Sequence, residues 1–356
     1  MTAASSPPGV PASLPAPGAV GGAPASGSPG PRAQWQRDLA DAVRDPVVLC
    51  RELGLDDAVA AEAARSAGAF PLLVPRSFLA RMRPGDRRDP LLLQVLPVAA
   101  EGMTKPGWVS DPLEEARAIA APALVKKYAG RALLLATGAC AIHCRYCFRR
   151  EFSYGEHGVG RAGLEAALGA IAADASIEEV ILSGGDPLLL DDDRLGDLVD
   201  RIAAIPTVHR LRIHTRLPVV LPSRVTPELV ALLGRLPAPP VVVIHANHPA
   251  EIDASVAAAL RALAGGRSLL LNQAVLLAGV NDSADVLARL STRLLDVGVL
   301  PYYLHLPDRV AGTAHFDVSE EEALRLHAAL RDTLPGYAVP RLVREVPGEA
   351  SKIPVV

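Results

Sequence analysis

From about residue 126 the chain alternates between two hydrophobic patterns. Short, nearly continuous apolar runs ("RALLLAT", "EEVILSG", "RLRIHT", "PVVVIHAN", "SLLLNQAVLL", "VLPYYLHL") are each followed by a longer segment whose apolar positions recur every three or four residues ("AGLEAALGAIAAD", "DRLGDLVDRIAAI", "TPELVALLGRL", "SVAAALRALAG", "SADVLARLSTRLLDVG", "EEEALRLHAALRDTL"). The first pattern suits strands buried on both faces and the second suits amphipathic helices. The alternation therefore predicts six strand–helix units and a parallel sheet covered by helices. Every apolar run delivers polar residues at its end: a cysteine-bearing loop, "SGGDP", "HTR", "HANH", "NQ" and "YYLHLPD". Polar clusters on all strands suit a barrel with its site at the C-terminal ends of the strands. An open doubly wound sheet would gather them at one switch point. The expected fold is α/β, a partial (β/α)6 TIM-like barrel over residues 126–335.

Upstream, residues 33–125 carry helical patterns ("WQRDLADAVRDPVVLCRELG", "VAAEAARSAG", "RSFLARM") interrupted by Pro and Gly, which predicts an irregular helical N-terminal region. Residues 1–32 are rich in Ala, Pro and Gly, and the first 31 contain no charged or aromatic side chain. Such a segment buries too little surface to offset its ordering entropy, so a disordered tail is expected there. Residues 336–356 form a separate C-terminal segment. Half of the 356 residues are hydrophobic, enough for a large core. A net charge of -3, from 36 basic and 39 acidic residues, gives no global attraction to nucleic acid or an anionic membrane. Neither a basic-then-apolar leader nor a run of the ~20 apolar residues that span a bilayer is present, so a cytoplasmic protein is expected.

Three of the four cysteines fall in "ATGACAIHCRYCFRREF": Cys140, Cys144 and Cys147. Clustered thiols in a reducing compartment more often bind metal than form disulfides. Spaced Cys-x3-Cys-x2-Cys, they can hold three irons of a cubic four-iron, four-sulfur cluster and leave the fourth iron open. The alternative is a zinc site completed by Cys50, His143 or His157, in a structural or regulatory protein; it lacks the second cysteine pair usual in zinc knuckles. With Tyr146 before the last cysteine, the motif resembles that of the radical S-adenosylmethionine (SAM) superfamily. The resemblance implies a 4Fe-4S cluster whose open iron is chelated by SAM, and reductive cleavage to a 5'-deoxyadenosyl radical. It also implies that Ser183, Gly184, Gly185 and Asp186 contact the SAM amino group. Alone, that "SGGD" stretch would read as a tight turn.

A narrower resemblance runs from about Trp35 to Lys352. "KKYAGRALLL", "CRYCFRREF", "SGGDPL", "RLRIHTRLPVVLPSRVT", "HANHP", "NQAVLLAGVND", "GVLPYYLHLPD", "AHFDVS" and "GEASK" resemble the lysine 2,3-aminomutase family, and most of all its short branch, which makes β-lysine for modifying elongation factor P. The family implies pyridoxal 5'-phosphate (PLP) carried on Lys352, with Tyr128, Arg131 and Arg216 near its phosphate. It places Arg149 on the substrate carboxylate, a pairing guanidinium suits through its bidentate geometry, and Asp308 with Glu345 on the distant ammonium of L-lysine. His245 and Gln273 fall on the SAM side, with Asn247 and His248 nearby. The implied reaction takes a hydrogen from Cβ of lysine, moves the nitrogen from Cα to Cβ and returns the hydrogen. Implied partners are L-lysine, an electron donor such as flavodoxin or ferredoxin, and, functionally, elongation factor P and its lysyl ligase; a homo-oligomer is left open. The alternative within the family is a catabolic enzyme releasing free β-lysine. Longer relatives carry zinc-binding cysteines past the PLP lysine, whereas this sequence ends four residues after Lys352, which favours the short branch.

Overall fold

The computed structural model describes residues 33–68 and 70–356; the expected tail over 1–32 lies outside them. Among the described residues, ten strands form one sheet in chain order: β1 (Ile119–Ala121), β2 (Leu124–Val125), β3 (Arg131–Thr137), β4 (Glu179–Gly184), β5 (Arg210–Thr215), β6 (Val241–Ile244), β7 (Leu269–Val275), β8 (Leu300–His305), β9 (Arg341–Arg344) and β10 (Ile353–Pro354). Strands β3 to β9 run parallel, while β1, β2 and β10 add antiparallel edges. The β1 and β10 edges do not pair with each other. Lys127, just before β3, nevertheless reaches Glu345, just after β9, at 3.0 Å. The sheet therefore curls until its ends nearly meet, giving the expected α/β partial barrel.

The barrel has six helical crossovers, one after each of β3 to β8. A seventh parallel strand follows the sixth crossover, built from residues expected as a separate C-terminal segment. Val343 and Val355 there are buried at 2% and 5% exposure, so this segment completes the sheet rather than trailing from it. The period-2 pattern sorts the strands' side chains. Ala132, Leu134, Val180, Leu182, Ile213, Val242, Leu270, Leu304 and Leu342 enter the core beneath the helices. Their strand neighbours Ser183, His214, Gln273, Tyr303 and His305 take the opposite, inner face. Helix starts are set by side-chain caps: Asp191 accepts from the Arg194 N–H at 2.9 Å and Asp253 from the Val256 N–H at 2.9 Å. Among the described residues no helix is long and apolar enough to cross a membrane.

The N-terminal region, helical at Gln34–Ala40, Pro46–Glu52 and Asp57–Ser66, docks directly on the barrel. Ser77 Oγ donates to the Val220 carbonyl at 2.7 Å and Arg81 Nη2 to that of Val219 at 2.7 Å. Its last portion crosses to the cysteine loop, where Glu101 pairs with both Arg145 and Arg150. Side-chain exposures are 5%, 1% and 7% for these three, so the pairing is desolvated. Removing one partner of such a buried pair typically costs about 3–5 kcal/mol because the remaining charge is stranded. Glu101→Ala should therefore lower the unfolding free energy by about that amount in chemical denaturation. A loss below about 1 kcal/mol would place the pairing in the range of a solvated surface bridge and contradict its structural role.

Candidate active site

The three clustered cysteines lie on the loop after β3, and the end of β4 holds that loop in place. The Gly185 N–H donates to the Thr137 carbonyl at 2.7 Å and the Asp186 N–H to the Ala139 carbonyl at 2.8 Å. Gly184 adopts φ +112°, and a Cβ on Gly185 would lie 2.0 Å from the Ala139 oxygen. Only glycine permits this approach. Burial, then repulsion by the neighbouring cysteines, pushes the Cys140 thiol well up and the Cys147 thiol up to about 11. Arg216 Nη1 donates to Cys144 Sγ at 2.6 Å. Three mutually close soft donors on one loop, with a buried guanidinium against one sulfur, fit an anionic iron–sulfur cluster.

Among the described residues, no three His, Cys, Asp or Glu side chains converge on a single-ion centre. The side chains that would complete a zinc site are engaged elsewhere. Cys50 is fully buried in the helix Pro46–Glu52, His143 stacks on Phe70 with Nδ1 2.8 Å from the Pro71 carbonyl, and His157 packs on Phe152.

The Arg216 guanidinium is held on the cysteine side by Cys144, by Glu251 at 3.0 Å and by Gln94 at 2.7 Å. Tyr128 and Arg131 do meet, the guanidinium 5.0 Å from the ring centre. In the "SGGDP" turn the Asp186 carboxylate is saturated by Thr215 Oγ1 and the N–H groups of Leu188, Arg216 and Leu217, which makes it a structural clasp between β4 and β5. Burial nonetheless pushes its carboxyl up to about 6. Ser183 Oγ accepts from Arg149 Nη1 at 3.0 Å, and the Gly184 carbonyl accepts from Tyr154 Oη at 2.7 Å. His245 stacks on Tyr146, with Nε2 3.1 Å from the Tyr146 hydroxyl, and burial depresses its pKa to about 3. Gln273 is paired across the sheet with Tyr303. Asn247 is consumed by Gln94, Glu251 and the Val275 N–H, and His248 Nδ1 accepts from the Ala250 N–H; both serve the loop itself.

From the cysteine loop toward the C-terminal strands, charges alternate along one continuous chain. Arg149 Nε and Nη2 grip Glu115 at 2.6 and 2.9 Å. Glu115 also meets Lys127 at 3.1 Å, Lys127 meets Glu345 at 3.0 Å, and Glu345 pairs with Lys352. Although burial opposes it, the ammonium groups of Lys352 and Lys127 hold the Glu345 carboxyl well below the usual range. Asp308 behaves oppositely: burial and repulsion from Glu345 outweigh those same two lysines and push it up to about 7. An added cation there would draw it back to the carboxylate. A cavity of about 280 Å³, lined by Glu114, Arg117, Tyr128, Glu345 and Gly348 among others, opens beside Lys127.

Arg149, Asp308, Glu345 and Lys352 are thus brought into one electrostatic group, buried at Arg149 and partly buried at the other three. Sequence reading missed Glu115, Lys127, Gln94 and Glu251, which hold the expected residues in place. It also missed His214 and His305, lumen histidines that burial keeps neutral. The "DPLEE" and "KKY" stretches were the available signals for Glu115 and Lys127, but charged residues near a turn read equally well as solvated ones. Iron and sulfide content of anaerobically reconstituted protein tests the cysteine assignment. Cys144→Ala should lose the cluster chromophore and Cys50→Ser should keep it, whereas stoichiometric zinc without sulfide in the wild type would contradict it.

The radical SAM superfamily matches residues 134–268, from within β3 to the residue before β7. The chain is 46% identical to L-lysine 2,3-aminomutase of Escherichia coli over 91% of its own length and 95% of that protein. It is 46% identical to that of Haemophilus influenzae over 89% and 94%, and 36% identical to that of Clostridium subterminale over 78% and 67%. With the matched region spanning the cysteine loop and most of the barrel, the chain belongs to the lysine 2,3-aminomutase family of radical SAM enzymes.

Proposed function

We propose that the chain is a PLP-dependent L-lysine 2,3-aminomutase of the short branch, its β-lysine destined for elongation factor P. The observation that carries the substrate reading is the pairing of opposite ends. A buried guanidinium, Arg149, lies at one end of the charge chain, and two acids, Glu345 and Asp308, lie around Lys352 at the other. An amino acid with a carboxylate at one end and an ammonium at the other matches that polarity. Glutamate would bring a second negative charge against the two acids, and ornithine would fall short of one end. Assignment to the short branch rests on its motifs, and a catabolic enzyme of the same activity is the alternative.

In this reading Cys140, Cys144 and Cys147 hold the 4Fe-4S cluster. The Ser183–Gly185 backbone, His245 and Gln273 flank SAM, and Lys352 carries PLP with Tyr128 and Arg131 toward its phosphate. When bound, these groups supply a carbon-centred radical and an electronic sink for a nitrogen shift. The chain's own side chains do the rest. Arg149 orients the substrate carboxylate by the part of its guanidinium that Glu115 leaves open. Asp308 and Glu345 hold the ε-ammonium, and its arrival keeps Asp308 ionised. His214 and His245, with pKa values near 3, stay neutral and offer no acidic proton inside the lumen. The helices around the sheet keep water from a reactive carbon centre. The net change balances within the substrate: the amino group passes from Cα to Cβ and one hydrogen passes from Cβ to Cα.

Anaerobic incubation of reconstituted protein with L-lysine, SAM and dithionite should yield β-lysine. Loss of one desolvated partner costs about 3–5 kcal/mol, and about 1.4 kcal/mol corresponds to a factor of ten. Asp308→Asn should therefore lower kcat/KM for lysine by roughly two to three orders of magnitude while PLP absorbance and uncoupled SAM cleavage persist. Turnover within about threefold of wild type, or a wild-type preference for glutamate, would contradict the substrate assignment.

A further inference from the structure

Glu115 has no assigned part in binding or chemistry, although its carboxylate is the junction between the two ends of the site. Its side chain is 2% exposed, and its two oxygens take Arg149 Nε and Nη2 together with Lys127 Nζ. The backbone aims it inward at some conformational expense. Glu114, the preceding residue, sits at φ +48°, a left-handed conformation uncommon for a side-chain-bearing residue. Asp111 fixes the turn by accepting from the N–H groups of Glu115 at 3.0 Å and Ala116 at 3.1 Å.

These contacts restrict what Arg149 can present. The side edge of its guanidinium, Nε and Nη2, is filled by Glu115, and Nη1 is steadied by Ser183 Oγ at 3.0 Å with a longer contact to the Gly184 carbonyl at 3.4 Å. The ring of Phe148 packs against it, 4.8 Å from the guanidinium carbon. A substrate carboxylate therefore meets the Nη1–Nη2 end, in one direction. From Oε1, the oxygen that also accepts from Arg149 Nη2, the link through Lys127 runs to Glu345, so the span from the guanidinium to the ammonium-binding acids is set through one carboxylate.

We infer that Glu115 is a positioning residue that aims the Arg149 guanidinium and, through Lys127, fixes its separation from Glu345, thereby setting the length of ω-amino-α-amino acid the site accepts. This rests on the reading of Arg149 and Glu345 as the two ends of a lysine site. The competing role, a stand-in carboxylate that substrate displaces from Arg149, is disfavoured because Glu115 also serves Lys127 and is anchored by Asp111. Leaving Arg149 would detach it from a second buried cation.

The test uses full-length protein loaded with cluster, SAM and PLP. In Glu115→Gln, which removes a charge-assisted grip, KM for lysine should rise about tenfold or more, and by a larger factor than kcat falls. Glu115→Asp retains the charge but withdraws Arg149 by one methylene. It should raise the homolysine-to-lysine ratio of kcat/KM relative to wild type, a shift that a structural role would not produce. This second variant carries the test if the first fails to fold. A lowered KM in Glu115→Gln would establish the displaced stand-in instead. An unchanged homolysine-to-lysine ratio in Glu115→Asp, or loss of iron and PLP absorbance in parallel with activity, would reduce Glu115 to a scaffold contact. Wild-type protein that fails to turn over lysine would refute the substrate reading itself; a working wild type with unmoved variants would refute only the role of Glu115.

Discussion

Five side chains of alternating charge run in a row inside the curled sheet: Arg149 and Glu115 are buried, and Lys127, Glu345 and Lys352 are partly buried. Isolated charges could not be kept there, because each would lose its hydration without compensation. Strict alternation of sign removes that difficulty and imposes its own constraint: each of the three inner members must stay in register with two neighbours, and each end member with one. The five come from separated segments, the cysteine loop, the turn at residue 115, the run before β3 and the C-terminal strands. Keeping them in register is a demand on the whole barrel, and no single loop can meet it.

The scaffold meets the demand at two joints. One is the glycine pair at the end of β4, where the absence of side chains lets the backbone of Gly185 and Asp186 bond to Thr137 and Ala139. That joint locks the cysteine loop, and with it Arg149, to the second barrel strand. The other is the N-terminal region, whose Glu101 and Glu115 both reach arginines that flank the cysteines. The expected helical prelude is therefore part of the site's wall. Arg216 shows the same economy on the opposite side: held by Glu251, Gln94 and the Asp186 carboxylate, it places a fixed positive charge against Cys144.

Much of this was legible from residues alone, for identifiable reasons. Parallel strands buried on both faces write themselves as apolar runs such as "EEVILSG", and their helices as period-3.6 segments, so six βα units could be counted. The thiol spacing and "GEASK" are local motifs, readable wherever the chain folds. What escaped depended on long-range pairing. A short stretch such as "RLVR" gives little sign that it joins a sheet as β9, and Asp186 could be seen in a motif without revealing that four donors saturate it. Arg216 belongs with these: an arginine at a strand end can turn toward any anion within reach, and its bonds to Cys144 and Glu251 could not be read from the sequence. Glu115 and Lys127 show it most clearly, since a glutamate in a turn and a lysine before a strand ordinarily face solvent.

The most direct measurement of the chemistry is turnover of L-lysine deuterated at C3, run anaerobically in ordinary water. If Arg149 and the acids around Lys352 hold lysine for an internal hydrogen shift in a lumen closed to solvent, β-lysine will carry deuterium at C2. β-Lysine bearing only protium at C2, with deuterium released to water, would contradict that account.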